Sequence, residues 1–251
     1  MIIVMCGVLL SSCLGDSDSS TETNSEFACI TTLNGVKYAA TRYGYVHHSD
    51  INTLQDGDCV LAAFKYKTNN DTQVGHVAEY FTITDKFSNA SQLRPMVTEV
   101  DTIALTRSDS AFTELGIPYY YNPDDYLQGR WLMAYKCKVR DKETLPSIEV
   151  YYDSNKQFDL NGKPLDKSEK IIDIRMKRYN NGTGDMDKSE TAFDVIDFRM
   201  IKQLFETDKD ENKVVYLRFR YHKLDSNGKY ADRISLTNKD QTVFFRYLEE
   251  D

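Results

Sequence analysis

A thiol able to carry lipid stands at Cys13, directly after Leu10-Ser11-Ser12. In a signal of this shape the chain is cut in front of the cysteine and the sulfur is acylated. The preceding run, Met1 to Leu10, is apolar and too short to span a bilayer, which takes roughly 20 residues. It fits the apolar core of a secretory signal over residues 1–12. No Lys or Arg precedes the run, which departs from the usual pattern and leaves open a start upstream of Met1. Each buried acyl methylene adds about 0.8 kcal/mol, so several chains on Cys13 make attachment effectively permanent. Residues 13–26 are rich in Ser and Thr, acidic and almost free of apolar groups. Such a segment cannot bury enough surface to order itself, and a flexible tether is expected.

Other reactive residue types form no convincing constellation. There is no Gly-x-Ser-x-Gly, and no cysteine sits in a catalytic context. The four histidines are His47, His48, His76 and His222. Side chains of the adjacent pair would point to opposite faces of a strand, and no third ligand lies at useful spacing, so no metal is expected. Asp208-Lys-Asp-Glu-Asn212 and Asp185-Met-Asp187 offer closely spaced oxygens. An EF-hand loop needs Gly at its sixth position and Glu at its twelfth. Counting from Asp208 finds Lys213 and Phe219, and counting from Asp185 finds Glu190 and Ile196. Carboxylate pairs of the glycosidase kind would arise by chance among 39 acidic residues. The expectation is a protein that is not an enzyme and has no cofactor, with a hydrolase as the third-ranked reading.

Binding chemistry is concentrated in Pro118-Tyr119-Tyr120-Tyr121-Asn122-Pro123-Asp124-Asp125-Tyr126. Prolines stiffen the segment and argue against a central strand. Rigid tyrosines beside carboxylates can stack sugar faces or anchor a protein interface. Tyr119, Tyr120, Tyr121 and Tyr126 are therefore the candidate binding residues. The competing reading is a connector whose tyrosines pack between two domains. Asp101-Thr102-Ile103 and Asp109-Ser110-Ala111 resemble the O-glycosylation acceptors of Bacteroides-type secreted proteins, which makes Thr102 and Ser110 candidate modification sites.

Acidic residues number 39 against 31 basic, for a net charge of −8. The charges interleave and no basic stripe forms, which argues against nucleic acid as a partner. An acidic surface is repelled by anionic headgroups, so the membrane partner is reached through the N-terminal lipid. Without Cys6 and Cys13, three thiols remain, Cys29, Cys59 and Cys137, at no zinc or redox spacing. Cys29 and Cys59 could pair if their strands are neighbours; otherwise all three are small buried hydrophobes.

The elements that must position these residues read as strands. Strict alternation marks a half-buried strand. It places Trp131, Met133, Tyr135, Cys137 and Val139 on one face, and Ile172, Ile174 and Met176 opposite Asp173, Arg175 and Lys177. Val215, Leu217, Phe219 and Tyr221 share another face, as do Val243, Phe245 and Tyr247. Asn34-Gly35 predicts a hairpin because both residues tolerate positive φ. Helix is expected only at 49–54, capped by Ser49 or Asp50, and somewhere within 189–205, where helix and strand patterns fit about equally. The fold class is all-β. A small OB-like barrel over 27–87 is followed by a connecting region over 88–127 and an antiparallel β-sandwich over 128–251.

In this arrangement the chain resembles the NigD-like lipoproteins of Bacteroides-type bacteria. The likeness rests on Leu10-Ser-Ser-Cys13 with Asp16 and Asp18 after it, and on the hairpin Ile30-Thr-Thr-Leu-Asn-Gly-Val-Lys-Tyr38. It continues in Leu54-Gln-Asp-Gly-Asp-Cys-Val-Leu61 and the late strand Val215-Tyr-Leu-Arg-Phe-Arg-Tyr221. The resemblance implies an N-terminal OB-type barrel, a C-terminal β-sandwich and a name linked to bacteriocin production or immunity. It carries over no functional residue. The acidic pair after Cys13 also resembles a surface-export signal. The expectation is an outer-membrane lipoprotein, displayed on the cell surface, with a non-catalytic binding role toward an envelope protein or a glycan. The alternative is an accessory glycan-binding lipoprotein beside an outer-membrane transporter.

Overall fold

The barrel begins with two strands that the Asn34-Gly35 turn folds back on each other. Asn34 has φ of 52° and Gly35 of 80°, the paired positive values of a two-residue hairpin turn. The structure, a computed structural model, describes residues 19–71, 74–87, 91–95, 111–121, 127–159, 161–179, 182–224, 230–234 and 243–247. Strand β1 (Ser20–Leu33) pairs with β2 (Val36–Thr41), and β2 pairs with β3 (Gly44–His47). A 3-10 turn at Ser49–Thr53 leads to β4 (Cys59–Asp71) and β5 (His76–Phe87). The closed order is β1-β2-β3-β5-β4, with β3 and β5 parallel. This is the five-stranded Greek-key barrel of the OB type.

Alternation fills the barrel. Ala28 and Ile30 of β1, Val60, Ala62, Phe64 and Tyr66 of β4, and Phe81 of β5 form its core. The rings of Phe81, Phe64 and Tyr66 stack in a row at 5.9 and 6.2 Å. The alternate residues Phe27, Cys29 and Cys59 are also buried, because they face the second half of the molecule.

That second half is a sheet of nine strands that doubles back at β6 (Ser91–Pro95). On one side of β6 run β11 (Thr183–Asp197), β8 (Arg130–Asp141) and the short β7 (Glu114–Leu115). On the other run β9 (Ser147–Tyr152), β10 (Glu169–Lys177) and β12 (Val214–Leu224), with β13 (Tyr230–Ile234) and β14 (Val243–Arg246) both pairing β12. The halves meet face to face. Trp131 of β8 lies 5.2 Å from Phe245 of β14, and Phe112 packs between Tyr135 and Tyr221. The shared core contains every apolar face read from the alternation, from Trp131 to Val139 and from Val215 to Phe219.

The sandwich is mixed. β6 is parallel to both β11 and β9, and β10 is parallel to β12. Parallel pairs need long connections, and β10 reaches β12 only after β11 and helix α1 (Arg199–Leu204) have intervened. β10 is also central, so the expected polar face of Asp173 and Arg175 is buried. Arg220 closes a bidentate pair on Asp173 at 2.6 and 2.8 Å, and Arg175 lies 4.4 Å over the Tyr151 ring.

Three boundaries differ from the sequence reading. Strand β1 starts at Ser20, so Ser20–Glu26 of the expected tether is part of the barrel, paired with Lys67–Ala62 of β4. Hydrogen bonding to a long neighbour, with Glu22 to Lys65 at 3.3 Å, orders it without apolar burial. The connecting region contributes β6, β7 and the fully buried Phe112 to the sandwich. The first 3-10 turn is capped by His48, whose Nδ1 accepts from the Asp50 amide at 3.3 Å. The ambiguous segment resolves into strand to Asp197 and helix from Arg199. Asp197 ends the strand by accepting from the Arg199 amide at 3.0 Å.

Candidate functional site

The most distinctive surface lies where the barrel meets the sandwich. Its foundation is an apolar joint of Phe27, Cys29 and Cys59 from the barrel with Leu127, Leu132 and Val195 from the sandwich, all nearly or fully buried. Tyr120 reaches across this joint. Its ring stacks on Phe27 at 5.8 Å and its hydroxyl donates to the Ser25 carbonyl at 2.9 Å.

Beside Tyr120 stands the turn joining β2 to β3. Thr41 Oγ1 accepts from the Tyr43 amide at 3.0 Å and donates to the Gly44 carbonyl at 2.9 Å. Gly44 has φ of 106°, a conformation that side-chain-bearing residues rarely adopt. The tight turn sends Arg42 and Tyr43 outward. The Arg42 guanidinium lies 5.0 Å over the Tyr43 ring and 5.8 Å over Tyr120, and bonds the Tyr43 hydroxyl at 3.0 Å. Behind it, Glu26 pairs with Arg42 at 3.1 Å from a fully buried position. Burial outweighs the arginine and pushes the Glu26 carboxyl up to about 7. Tyr119 extends the row, edge-on to Tyr120 at 4.8 Å and 60% exposed. Its amide is tied to the Leu132 carbonyl. The result is a continuous strip, Tyr43–Arg42–Tyr120–Tyr119, of aromatic faces around one half-exposed cation. Such a strip can stack on flat apolar faces and offer guanidinium donors to hydroxyl or carboxylate oxygens.

The expected tyrosines are thus divided. Tyr119 is presented to solvent and Tyr120 is shared between the joint and the strip. Tyr121 packs edge-on against Trp131 at 4.9 Å, and its hydroxyl donates to the Phe244 carbonyl and accepts from the Phe244 amide at 2.8 and 2.9 Å. Tyr126 lies outside the described residues, as do Cys13, Thr102 and Ser110. Sequence reading missed Glu26, Arg42 and Tyr43. They stand far from the tyrosine cluster in the chain, and only the Arg-Tyr-Gly of a short turn hinted at exposure.

The other candidate groups have local roles. His47 Nδ1 bonds the Lys37 carbonyl at 2.9 Å, and His76 stacks on Tyr66 at 4.0 Å. Among the described residues no group of three metal-ligating side chains converges. Asp208 pairs with Lys170 at 3.0 Å, and Asp210 accepts from the amides of Asn212 and Val214, so this acidic stretch closes a turn. Among the described residues no helix is long and apolar enough to cross a membrane.

No family model matches the chain, and no curated protein does. Solved structures do. An uncharacterized protein from Parabacteroides merdae matches with a TM-score of 0.60 at 13% identity, over 84% of this chain and 97% of its own. A candidate lipoprotein from Bacteroides fragilis matches with a TM-score of 0.56 at 7% identity, over 93% of this chain and 100% of its own. The likeness is one of fold. The neighbours also include a NigD-like immunity protein from Bacteroides caccae, with a TM-score of 0.47 at 10% identity, over 86% of this chain and 92% of its own.

Proposed function

We propose that this protein is a lipid-anchored envelope lipoprotein that works by binding and not by catalysis, with the Tyr43–Arg42–Tyr120–Tyr119 strip as its contact surface. The observation that carries the binding reading is the strip itself. It holds a guanidinium over two tyrosine rings, backed by a buried carboxylate and edged by a ring that is 60% exposed. Exposed aromatics clustered with arginine are the composition of binding hot spots.

Anchoring is supported by Leu10-Ser11-Ser12-Cys13 and by the fold shared with the Bacteroides fragilis candidate lipoprotein. The outer membrane is the proposed location, with display on the cell surface supported by Asp16 and Asp18 after the cysteine. Because β1 starts at Ser20, the barrel would stand close to its anchor, with only Leu14 to Ser19 between.

A second reading, glycan capture beside an outer-membrane transporter, is favoured by the exposed Tyr119 ring at the end of the strip, with Tyr120 between it and Arg42. Both test in one design. Wild type, Tyr119→Ala and Arg42→Ala are applied to panels of neutral and anionic glycans and to solubilised envelope proteins. Binding by wild type that falls at least tenfold in both variants supports the strip, and the panel that binds names the ligand class. Binding unaffected by both substitutions overturns it. Mass spectrometry of native protein tests the anchor, which requires an acylated N-terminal Cys13. An unmodified sulfur there with residues 1–12 still attached overturns it.

A further inference from the structure

Cys29 and Cys59 are direct partners across β1 and β4. Just beyond them the Ile30 amide donates to the Asp58 carbonyl and the Gly57 amide donates to the Ile30 carbonyl, each at 2.8 Å. Antiparallel pairs alternate between hydrogen-bonded and non-hydrogen-bonded. Cys29 and Cys59 therefore occupy a non-hydrogen-bonded pair, where Cα atoms approach to about 4.5 Å and side chains are closest. That spacing falls within the range a disulfide spans. The two Sγ atoms already lie 3.3 Å apart, and both residues are buried in the joint between barrel and sandwich.

We infer that Cys29 and Cys59 form a cross-strand disulfide in the exported protein. Cys137 is excluded because it belongs to the separate core inside the sandwich. The bond rests on the proposed export to an oxidising compartment. Its formation removes two protons and two electrons from the thiols. The acceptor, by chemical class, is the disulfide of an envelope thiol oxidase. One cysteine thiolate attacks that disulfide to form a mixed disulfide and release one acceptor thiol. The second cysteine then displaces the other acceptor sulfur, leaving the acceptor as a dithiol.

The step belongs to folding. In the finished structure both thiols are covered, and burial together with its neighbour holds Cys29 well above the ordinary thiol range, against the opposing effect of Arg130. Because the joint covers both thiols, an oxidant could reach them only before it closes, so the step would have to follow β1–β4 pairing and precede docking of the sandwich. The closed loop runs from Cys29 to Cys59 and takes in β2, β3 and the 3-10 turn, so the bond would fasten the strand that carries Glu26 to the wall of the barrel.

The test uses full-length protein taken from its native envelope, quenched in acid, alkylated under denaturing conditions without reductant, and mapped by mass spectrometry. The expected result is a peptide linking Cys29 to Cys59, with Cys137 alkylated. Alkylation of both Cys29 and Cys59 overturns the inference. If Cys13 in the same sample is acylated, export stands and the disulfide alone has failed. As a second measure, reductant should lower the Tm of the purified oxidised protein by about 10 °C, the shift expected for a loop of this size. The double variant Cys29→Ala, Cys59→Ala should melt at the same temperature with and without reductant. A reductant-sensitive double variant would place the effect elsewhere and count against the bond.

Discussion

Glu26 and Arg42 meet at 3.1 Å across the solvent boundary, with the carboxylate side chain 1% exposed and the guanidinium 53%. The pair is asymmetric, so the acid bears the desolvation and is pushed up to about 7. A carboxyl raised in the folded state stays protonated there while its unfolded counterpart ionises near 4. Its contribution is full below about pH 4 and is lost as pH climbs through 7. The Glu26→Gln variant lacks this titration. Relative to wild type, it should gain on the order of 2–3 kcal/mol of stability between pH 4 and pH 8. Urea denaturation at both pH values measures the gain. An unchanged difference between the two proteins would show that Glu26 ionises normally.

Tyr119 and Tyr121 are separated by one residue and should behave in opposite ways. Tyr119 is solvent-facing, and Tyr119→Ala should leave the Tm within a degree or two while weakening ligand binding. Tyr121→Ala removes a ring packed on Trp131 and orphans both backbone groups of Phe244. It should cost about 3–5 kcal/mol. Trp131 is the only tryptophan and is buried, so its fluorescence reports the unfolding midpoint directly. Equal losses of stability in both variants would contradict this division.

Tyr135 and Asp194 join three strands of the sandwich. The Tyr135 hydroxyl bonds the Pro146 carbonyl and lies 3.1 Å from Asp194 Oδ2, which also accepts from the Ile148 amide at 2.7 Å. Tyr135→Phe leaves these acceptors short of a donor and should cost about 1–3 kcal/mol. Burial raises the Asp194 carboxyl to about 6 against both hydrogen bonds. The sign matches that of Glu26, so this acid also makes the wild type lose stability as pH rises from about 4 to 6. Tyr135→Phe removes a bond that favours the ionised carboxylate, so it should move the Asp194 titration upward. The shift is readable from the carboxyl carbon by NMR; a downward movement would contradict the assignment.

How far this architecture could be read in advance depended on whether the cause was local. Alternation over Trp131–Val139 and Val215–Tyr221 named core faces correctly, because a period of two is dictated by the strand itself. The Asn34-Gly35 hairpin was equally local. Ser20–Glu26 could not be read as strand, since its order comes from β4, some forty residues on, and not from its own polar composition. Burial of Asp173 and Arg175 had the same origin, for it follows from the central place of β10. The strip is the extreme case. Tyr119 and Tyr120 stood out as aromatics, but Arg42 and Glu26 join them only because Phe27 and Tyr120 seal the two halves together. The candidate Cys29–Cys59 pairing hinged on whether their strands are neighbours, and the register makes them direct partners.

Gly35 and Gly44 allow the strip to be tested through the backbone. Both have positive φ, 80° and 106°, and an added Cβ would meet no atom within 4 Å at Gly35 and only His76 Nε2 at 3.9 Å at Gly44. Alanine at either site therefore costs backbone strain and little else, about 1–3 kcal/mol. The two turns differ in what they hold. The first joins β1 to β2 and belongs to no part of the strip, whereas the second fixes Arg42 and Tyr43 through the Thr41 hydroxyl. Gly35→Ala should lower the Tm and leave ligand affinity at the wild-type value. Gly44→Ala should lower the Tm by a similar amount and also weaken binding, because relaxation of the strained turn displaces the guanidinium from between its two rings. Matched affinity in the two variants would mean that the ligand site does not depend on the position of Arg42.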